Sequence, residues 1–463
     1  MLIGVAIFLL VALIASRRVK GPVWAVSLAW LFCLAPIVSG AVIYGYLIDK
    51  NGLFSLSLCM FIGAYLAGVA FYDAVLLPGR APPRPAPAAI DYRRAFDRVL
   101  PVARVCWCIA MVATAFSYID FTLLGGAGLD DLAALRDSYA NKASASAFAQ
   151  IASILTWACL FCYIFALFFR TELSRLQFGM FLLPIVGYFL LSVFSAGRQA
   201  AFQIMLVTIL LVIVTRLVRG RGVTRAPRTM RVLLTRERLG VLTISAAMVG
   251  YMGYIAVARN DGAISDDKSE VLTAIFDFHF APGVERVVQA MGSSLRGAIV
   301  EGVIYFSSSP ALFDPFLNIH WPKLYLGAMS FPFFFRQVEA FTGLSPTAGL
   351  LAKVDAINAN GQLGSGWATS MSSYLIDFGT FGTLVFLFVM GVYSGYAWRR
   401  ALAFDSFYTV VIGLLALINA VYMPLVPAVS DTNLLFLWLF CLIMHHRPYR
   451  YLLPVKRTVV AAE

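Results

Sequence analysis

Two arginines stand at the edges of apolar segments, where an unpaired cation needs a reason to be. Arg198 occupies the turn Phe194-Ser-Ala-Gly-Arg-Gln199, which joins two apolar runs and is too tight to carry the guanidinium far from a bilayer edge. Arg259 closes another apolar run, in Ala258-Arg-Asn-Asp-Gly262. A cation at such a depth costs on the order of 3 kcal/mol unless it is paired or serves an anion. Guanidinium is planar, permanently charged and matched to phosphate oxygens. Snorkelling to headgroups is the structural alternative for both, as is an ion pair with Asp261 for Arg259.

Further groups lie beyond Arg259 in sequence. Asp277 and His279 alternate with Phe276, Phe278 and Phe280 in an apolar stretch. Glu301 and Tyr305 are one helical turn apart, and Arg296 and Arg336 add cations. His320 precedes Trp321, a pairing suited to stacking on a sugar ring and equally to anchoring at an interface. A lone histidine in such a place is more often structural. The sequence has no Asp-x-Asp, no His-x-x-x-His and no glycine-rich loop ending in Lys-Ser/Thr, so neither a metal nor a nucleotide cofactor is expected. The pairs Cys106/Cys108 and Cys159/Cys162 lie inside apolar segments without further ligands nearby, and read as small apolar residues.

The elements that must position these groups are greasy. The 463 residues are 60 % hydrophobic and 13 % charged, which excludes a soluble globular chain and makes a polytopic membrane protein the expectation. Apolar segments run at 2–16, 23–47, 53–77, 99–118, 147–169, 178–195, 199–217, 239–258, 379–398, 406–426 and 429–445. That predicts an all-α fold of about eleven membrane helices (ten to twelve), at the ~17–25 residues each that a bilayer requires. The net charge of +12 is not a nucleic-acid patch. Its bases alternate with the spans: Arg17–Lys20, the Pro/Arg-rich 78–98, Arg170–Arg175, the cluster from Arg216 to Arg238, Arg399–Arg400 and Arg447–Arg457. By the positive-inside rule these loops are cytoplasmic, which puts the amino terminus outside and the carboxyl terminus in the cytoplasm.

Three units result: a membrane domain over 1–258, a large outer loop over 259–378 and a second membrane domain over 379–463. Acids outnumber bases in the loop, which is too aromatic for disorder. Val284, Val287, Val288, Met291, Leu295, Ile299 and Gly302 predict an amphipathic helix of about twenty residues at the membrane surface. Pro310, Pro315, Pro322, Pro332 and Pro346 are expected to break the remainder of the loop into short pieces, and Asn358–Gly366 to be a backbone-exposing segment. Asp73 and Asp431–Thr432–Asn433 are polar groups near span ends of a kind that also marks ion pathways.

Two stretches resemble the oligosaccharide repeat-unit polymerases, the O-antigen polymerase (Wzy-type) family. Ser195-Ala-Gly-Arg-Gln-Ala-Ala-Phe202 is similar to that family's arginine turn, with Ala196 and Gln199 departing from its pattern. Gly364-Ser-Gly-Trp-Ala-Thr-Ser-Met-Ser-Ser-Tyr-Leu-Ile-Asp-Phe-Gly379, with Gly382 and Gly391 beyond it, resembles its glycine-rich approach to the span after the large loop. The resemblance implies a membrane-embedded glycosyltransferase architecture of the GT-C kind in a bacterial inner membrane, with the loop periplasmic. It implies transfer of a growing glycan from undecaprenyl diphosphate to the terminal sugar of an incoming undecaprenyl-diphosphate repeat unit, beside a flippase and a chain-length regulator. Arg198 and Arg259 would then stabilise the diphosphate leaving group, with Arg296 and Arg336 as further anion contacts. Glu301, Asp277 and His279 are the candidate bases, while Trp321, Tyr305, Tyr325 and the motif's Tyr374 would contact substrate. A glycan ligase, a lipid-linked oligosaccharide flippase or other transporter, and a docking subunit of an export complex are the rival readings.

Overall fold

A computed structural model describes residues 2–16, 21–44, 52–76, 92–124, 146–194, 199–220, 278–291, 293–317, 324–343 and 369–446. The described residues are largely helical. Five helices are long and apolar enough to cross a membrane: Leu53–Leu76, Tyr92–Asp120, Ala147–Phe168, Ala200–Arg219 and Ser370–Ala403. Shorter apolar helices accompany them. In chain order the helices are α1 (Leu2–Ser16), α2 (Pro22–Val38), α3 (Leu53–Phe71, continued by a π turn over Tyr72–Leu76), α4 (Tyr92–Leu124), α5 (Ala147–Leu155), α6 (Trp157–Phe168), α7 (Arg175–Phe194) and α8 (Gln199–Gly220). Then come α9 (Pro282–Gln289), α10 (Ser293–Leu317), α11 (Pro332–Thr342), α12 (Ser370–Ala403), α13 (Phe407–Tyr422) and α14 (Thr432–His446). The apolar segment 239–258 lies outside the described residues.

The centre is built from helices that are apolar all round, which is what full burial demands. All of α13 except Val421 is buried, and so is α6 apart from Leu167. An aromatic cluster of Phe96, Phe161, Phe165, Phe168, Phe169 and Phe407 locks α4, α6 and α13 together, with ring centroids 5–6 Å apart in edge-on, tilted and stacked pairs. Around this centre large apolar side chains such as Ile3, Val105, Leu176 and Phe381 stand exposed, a surface suited to lipid. Cys159 and Cys162 pack against the Ala110 and Ala103 carbonyls of α4, as small apolar residues do.

The tightest helix pair is α3 with α12. A Cβ added to Gly68 would collide with the Phe388 carbonyl oxygen, and one added to Gly391 with the Tyr65 carbonyl oxygen. Backbone therefore lies on backbone, the close approach that small residues permit between membrane helices. In α7, Pro184 removes the N–H that the Met180 carbonyl would accept one turn back. The Trp107 indole of α4 donates to that carbonyl instead, at 2.8 Å.

The two ends of the bundle differ. At one end Arg399 donates twice to Asp73, at 2.9 and 2.8 Å, and Arg400 pairs with Asp405. Arg219 caps the Phe168 carbonyl at the end of α6 and lies 3.6 Å from Glu172. Its guanidinium also covers the Tyr92 ring at 5.1 Å. The other end gathers hydroxyls, amides and short connections.

The described residues are those of an all-α fold carrying one short ladder: residues 42–44 form β1, which pairs antiparallel with β2 (Phe278–Phe280), Val42 opposite Phe280 and Tyr44 opposite Phe278. Three expectations are corrected. The apolar run 23–47 is not one helix, since α2 stops at Val38 and the chain turns through Ser39–Gly40 into that strand. The single surface helix over 284–302 is two: α9, mostly exposed, and α10, which packs on α2 and α3. Finally, Pro310 and Pro315 do not end α10, which runs to Leu317. Burial among neighbouring helices lets a helix tolerate such a proline. Phe313, fully buried, meets Phe54 and Phe61 of α3 with centroids 6.0 and 6.1 Å away.

Candidate functional site

The site is assembled at the hydroxyl-rich end, around the start of α8. Phe202, in the first turn of α8, has its ring 5.6 Å from Tyr422 at the end of α13 and 6.4 Å from Phe306 in the middle of α10. Phe306 in turn sits edge-on to Phe32 of α2 at 5.1 Å. Beside Phe202, the buried Gln203 donates to Asp431 Oδ2 at 2.5 Å and accepts from Tyr188 of α7 at 3.1 Å. Asn433 donates to the same Tyr188 hydroxyl at 3.3 Å. Asp431 completes the network by accepting the Asn433 and Leu434 N–H groups at 2.9 and 3.1 Å, so it is the N-cap of α14. The α7–α8 hairpin is thereby tied to α14.

The start of α12 reaches the same place. Ser370 bonds the Met423 carbonyl through its N–H, at 3.2 Å, and through its hydroxyl, at 2.6 Å. Thr369, the residue before the first turn, makes no side-chain cap. Among the described residues the buried hydroxyls of Thr369, Ser372 and Ser309 have no partner. Ser372 lies on α12 and Ser309 on α10, and those two helices touch. A helix N-terminus carries about half a positive charge from its unbonded N–H groups. Together with free hydroxyl donors it favours an anion or a polyol.

The loop is held to this end at two points. The β1–β2 ladder is extended by the Ala281 N–H on the Ala41 carbonyl at 3.0 Å, and the Tyr44 hydroxyl meets Ser307 Oγ at 2.7 Å. The second point is Asp377. Its Oδ1 accepts the Met329 N–H at 3.0 Å, and Oδ2 accepts the Ser330 N–H at 2.8 Å and the Ser330 hydroxyl at 2.5 Å. Its own carbonyl takes the Leu326 N–H at 3.0 Å. This carboxylate is wholly buried and holds the turn 324–331. Two residues on, Gly379 has φ 67° and ψ 179°, a conformation open to glycine, and splits α12 into two helices. From Thr380 to Ala403 the second part rises about 36 Å at ~1.5 Å per residue, enough for a hydrocarbon core of about 30 Å.

The sequence candidates are scattered over several elements. Arg198, Arg259, Asp277 and Trp321 lie outside the described residues, although Gln203 and Phe202, which come soon after Arg198 in sequence, are at the centre of the site. Glu301 and Tyr305 fall on α10, one turn apart. His279 lies on β2 opposite Ile43 with its side chain exposed. Arg296 is half-buried in the first turns of α10, and Arg336 is exposed on α11. Tyr325 and Tyr374 are 7 % and 2 % exposed, and the Tyr374 ring rests on Phe386 with centroids 4.8 Å apart. In this conformation protein covers both. Sequence reasoning passed over Gln203, Tyr188, Ser309, Thr369 and Ser372. The signal available was polarity inside otherwise apolar helices.

No family model matches the chain, and neither a curated protein nor a solved structure does.

Proposed function

We propose that this chain is a membrane glycosyltransferase of the repeat-unit polymerase kind, with a GT-C-like arrangement of about eleven spans. It would sit in a bacterial inner membrane, with the large loop and amino terminus periplasmic and the carboxyl terminus cytoplasmic. The observation that supports this reading is the hydroxyl-rich end itself. The start of α8, the N-terminus of α12 and the middle of α10 converge there, beside the residues that come after Arg198 in sequence.

In the proposed reaction an acceptor hydroxyl oxygen on the incoming repeat unit attacks the anomeric carbon of the growing glycan. The bond from that carbon to the undecaprenyl diphosphate oxygen breaks, and the hydroxyl proton passes to a carboxylate or imidazole drawn from Glu301, Asp277 and His279. Charge develops on the departing diphosphate, and preorganised donors at that position lower the barrier. Arg198 and Arg259 are assigned this role, with the donors at the start of α12 beside them. The transport reading draws little from the two acids that suggested it. Asp73 is engaged by Arg399, and Asp431 by Gln203 and its own helix.

The test is genetic and chemical. The gene is deleted in its host and restored as wild type or as Arg198→Ala at matched membrane levels, and the surface glycan is resolved on a gel. Wild type is expected to restore a ladder, and Arg198→Ala to leave a single repeat unit. A normal ladder in the deletion strain would remove the proposal. Repeat units stranded on the cytoplasmic leaflet would replace it with the transporter reading.

A further inference from the structure

Nearer the arginine-rich end, α4 and α7 enclose a groove of about 240 Å³ lined by Leu100, Arg104, Trp107, Gln177, Met180 and Phe181. Its flanks are the exposed side chains of Val105, Leu176 and Leu183, on two apolar helices, so the groove opens on an apolar face of the bundle. Arg104 is exposed there and, among the described residues, makes no hydrogen bond or ion pair. Among the described residues the nearby acids are already engaged: Asp97 with Arg93 at 3.5 Å, and Glu172 with Arg219 at 3.6 Å. Arg170 and Arg175 add exposed cations at the adjoining start of α7, and the Arg170 guanidinium lies over the Phe178 ring at 5.5 Å. Trp107 is fixed in the groove wall by its bond to the Met180 carbonyl.

We infer that this groove is a binding site for a phospholipid with an anionic headgroup, its phosphate on Arg104 and an acyl chain against Trp107, Met180 and Phe181. An unpaired guanidinium beside apolar walls calls for a ligand that is anionic at one end and hydrocarbon at the other. The volume is below the ~300–1,000 Å³ of a pocket that encloses a whole small molecule, and fits a length of acyl chain. A second copy of this chain is a poorer occupant. A two-fold contact through this face would bring the α4 cations of both copies together in a desolvated interface.

The test uses the full chain in vesicles of phosphatidylcholine in which a fixed fraction of lipid has brominated acyl chains and either a phosphatidylglycerol or a phosphatidylcholine headgroup. Bromine quenches tryptophan fluorescence on contact, and the difference between wild type and Trp107→Phe isolates Trp107 from the other indoles. Brominated phosphatidylglycerol is expected to occupy the site with about fivefold preference, the worth of one basic residue at an anionic lipid surface. Arg104→Gln abolishes that preference and Arg104→Lys keeps it. Equal quenching by the two headgroups in wild type overturns the inference. So does a Trp107 that neither lipid quenches, because protein would then cover the groove. Should Trp107→Phe fail to fold, native mass spectrometry of wild type and Arg104→Gln decides the matter: loss of a retained phosphatidylglycerol supports the site, and equal retention refutes it.

Discussion

At the scale of single residues, the described polar side chains divide into those that hold the structure and those left with capacity to spare. Asp377 is of the first kind, since its two oxygens accept two backbone N–H groups and one hydroxyl. Asp377→Ala would leave those buried donors unmet, at about 1–3 kcal/mol each. Amide exchange at Met329 and Ser330 is therefore expected to rise at least about tenfold, read by hydrogen-exchange mass spectrometry; unchanged protection would mean that the turn does not depend on the carboxylate. Asp431 is similar but local. Asp431→Ala removes the α14 cap and the acceptor of Gln203, and a loss of about 1–2 kcal/mol should appear as a lower melting temperature in detergent. Thr369, Ser372 and Ser309 are of the second kind. If they serve the proposed substrate, Thr369→Val and Ser372→Ala shorten or abolish the glycan ladder while leaving the melting temperature within about a degree or two, because neither hydroxyl makes an internal bond to lose. A ladder of full length from the double variant would assign them no part in the reaction.

Between residues and the whole lie the helices, and here much was legible because apolar length and periodicity are written directly in the chain. Five of the expected spans are met by helices long and apolar enough to cross a membrane and five more by shorter apolar helices, and the central pair α6 and α13 is almost wholly buried. What could not be read was partnership. Ser307-Ser-Ser-Pro310 signals a break by local propensity, yet α10 runs through it, because Tyr44 and the rings of α2 and α3 supply contacts that no window of sequence contains. The ladder between residues 42–44 and 278–280 joins segments far apart in the chain, and neither strand is long enough to announce itself. In the candidate site the arginine turn stood out because charge inside apolar sequence is rare, whereas the lone hydroxyls of α10 and α12 did not. The Gly391-x-x-x-Gly395 spacing in α12 was a signal available and unused. It is also testable: Gly391→Val drives side-chain carbon into the Tyr65 carbonyl, with the Gly68 α carbon 3.1 Å away. Overpacking of this sort costs about 1–3 kcal/mol, and more where only backbone can yield. Folded yield on size-exclusion chromatography should fall sharply for Gly391→Val. Gly63→Ala, whose added carbon meets nothing, should behave as wild type.

For the molecule as a whole, the unlike ends of the bundle fix which surfaces must share a side of the membrane. Ser39, in the turn between α2 and β1, lies with the hydroxyl-rich end, while Ala403, at the close of α12, lies among the arginines. Both are exposed, so a cysteine at either would meet a thiol reagent in water without disturbing a packed contact. By the positive-inside rule the arginine end is expected in the cytoplasm. The proposed reaction requires the other end to face the periplasm, since the lipid-linked substrate is used there. These are separate arguments, and one experiment addresses both. In cells whose outer membrane has been made permeable, a membrane-impermeant maleimide should label Ser39→Cys and leave Ala403→Cys unlabelled until the inner membrane is lysed. Cys108 supplies the background: it is exposed near the middle of α4, a helix apolar enough to cross a membrane, and the reagent should miss it in both states. Labelling of both positions in intact cells would mean that the two ends are not separated by a membrane, and the span assignment would fail. The reverse pattern would keep the spans and put the hydroxyl-rich end in the cytoplasm. A periplasmic polymerase could not then be this protein, whereas the lipid groove, which depends on Arg104 and not on orientation, would stand.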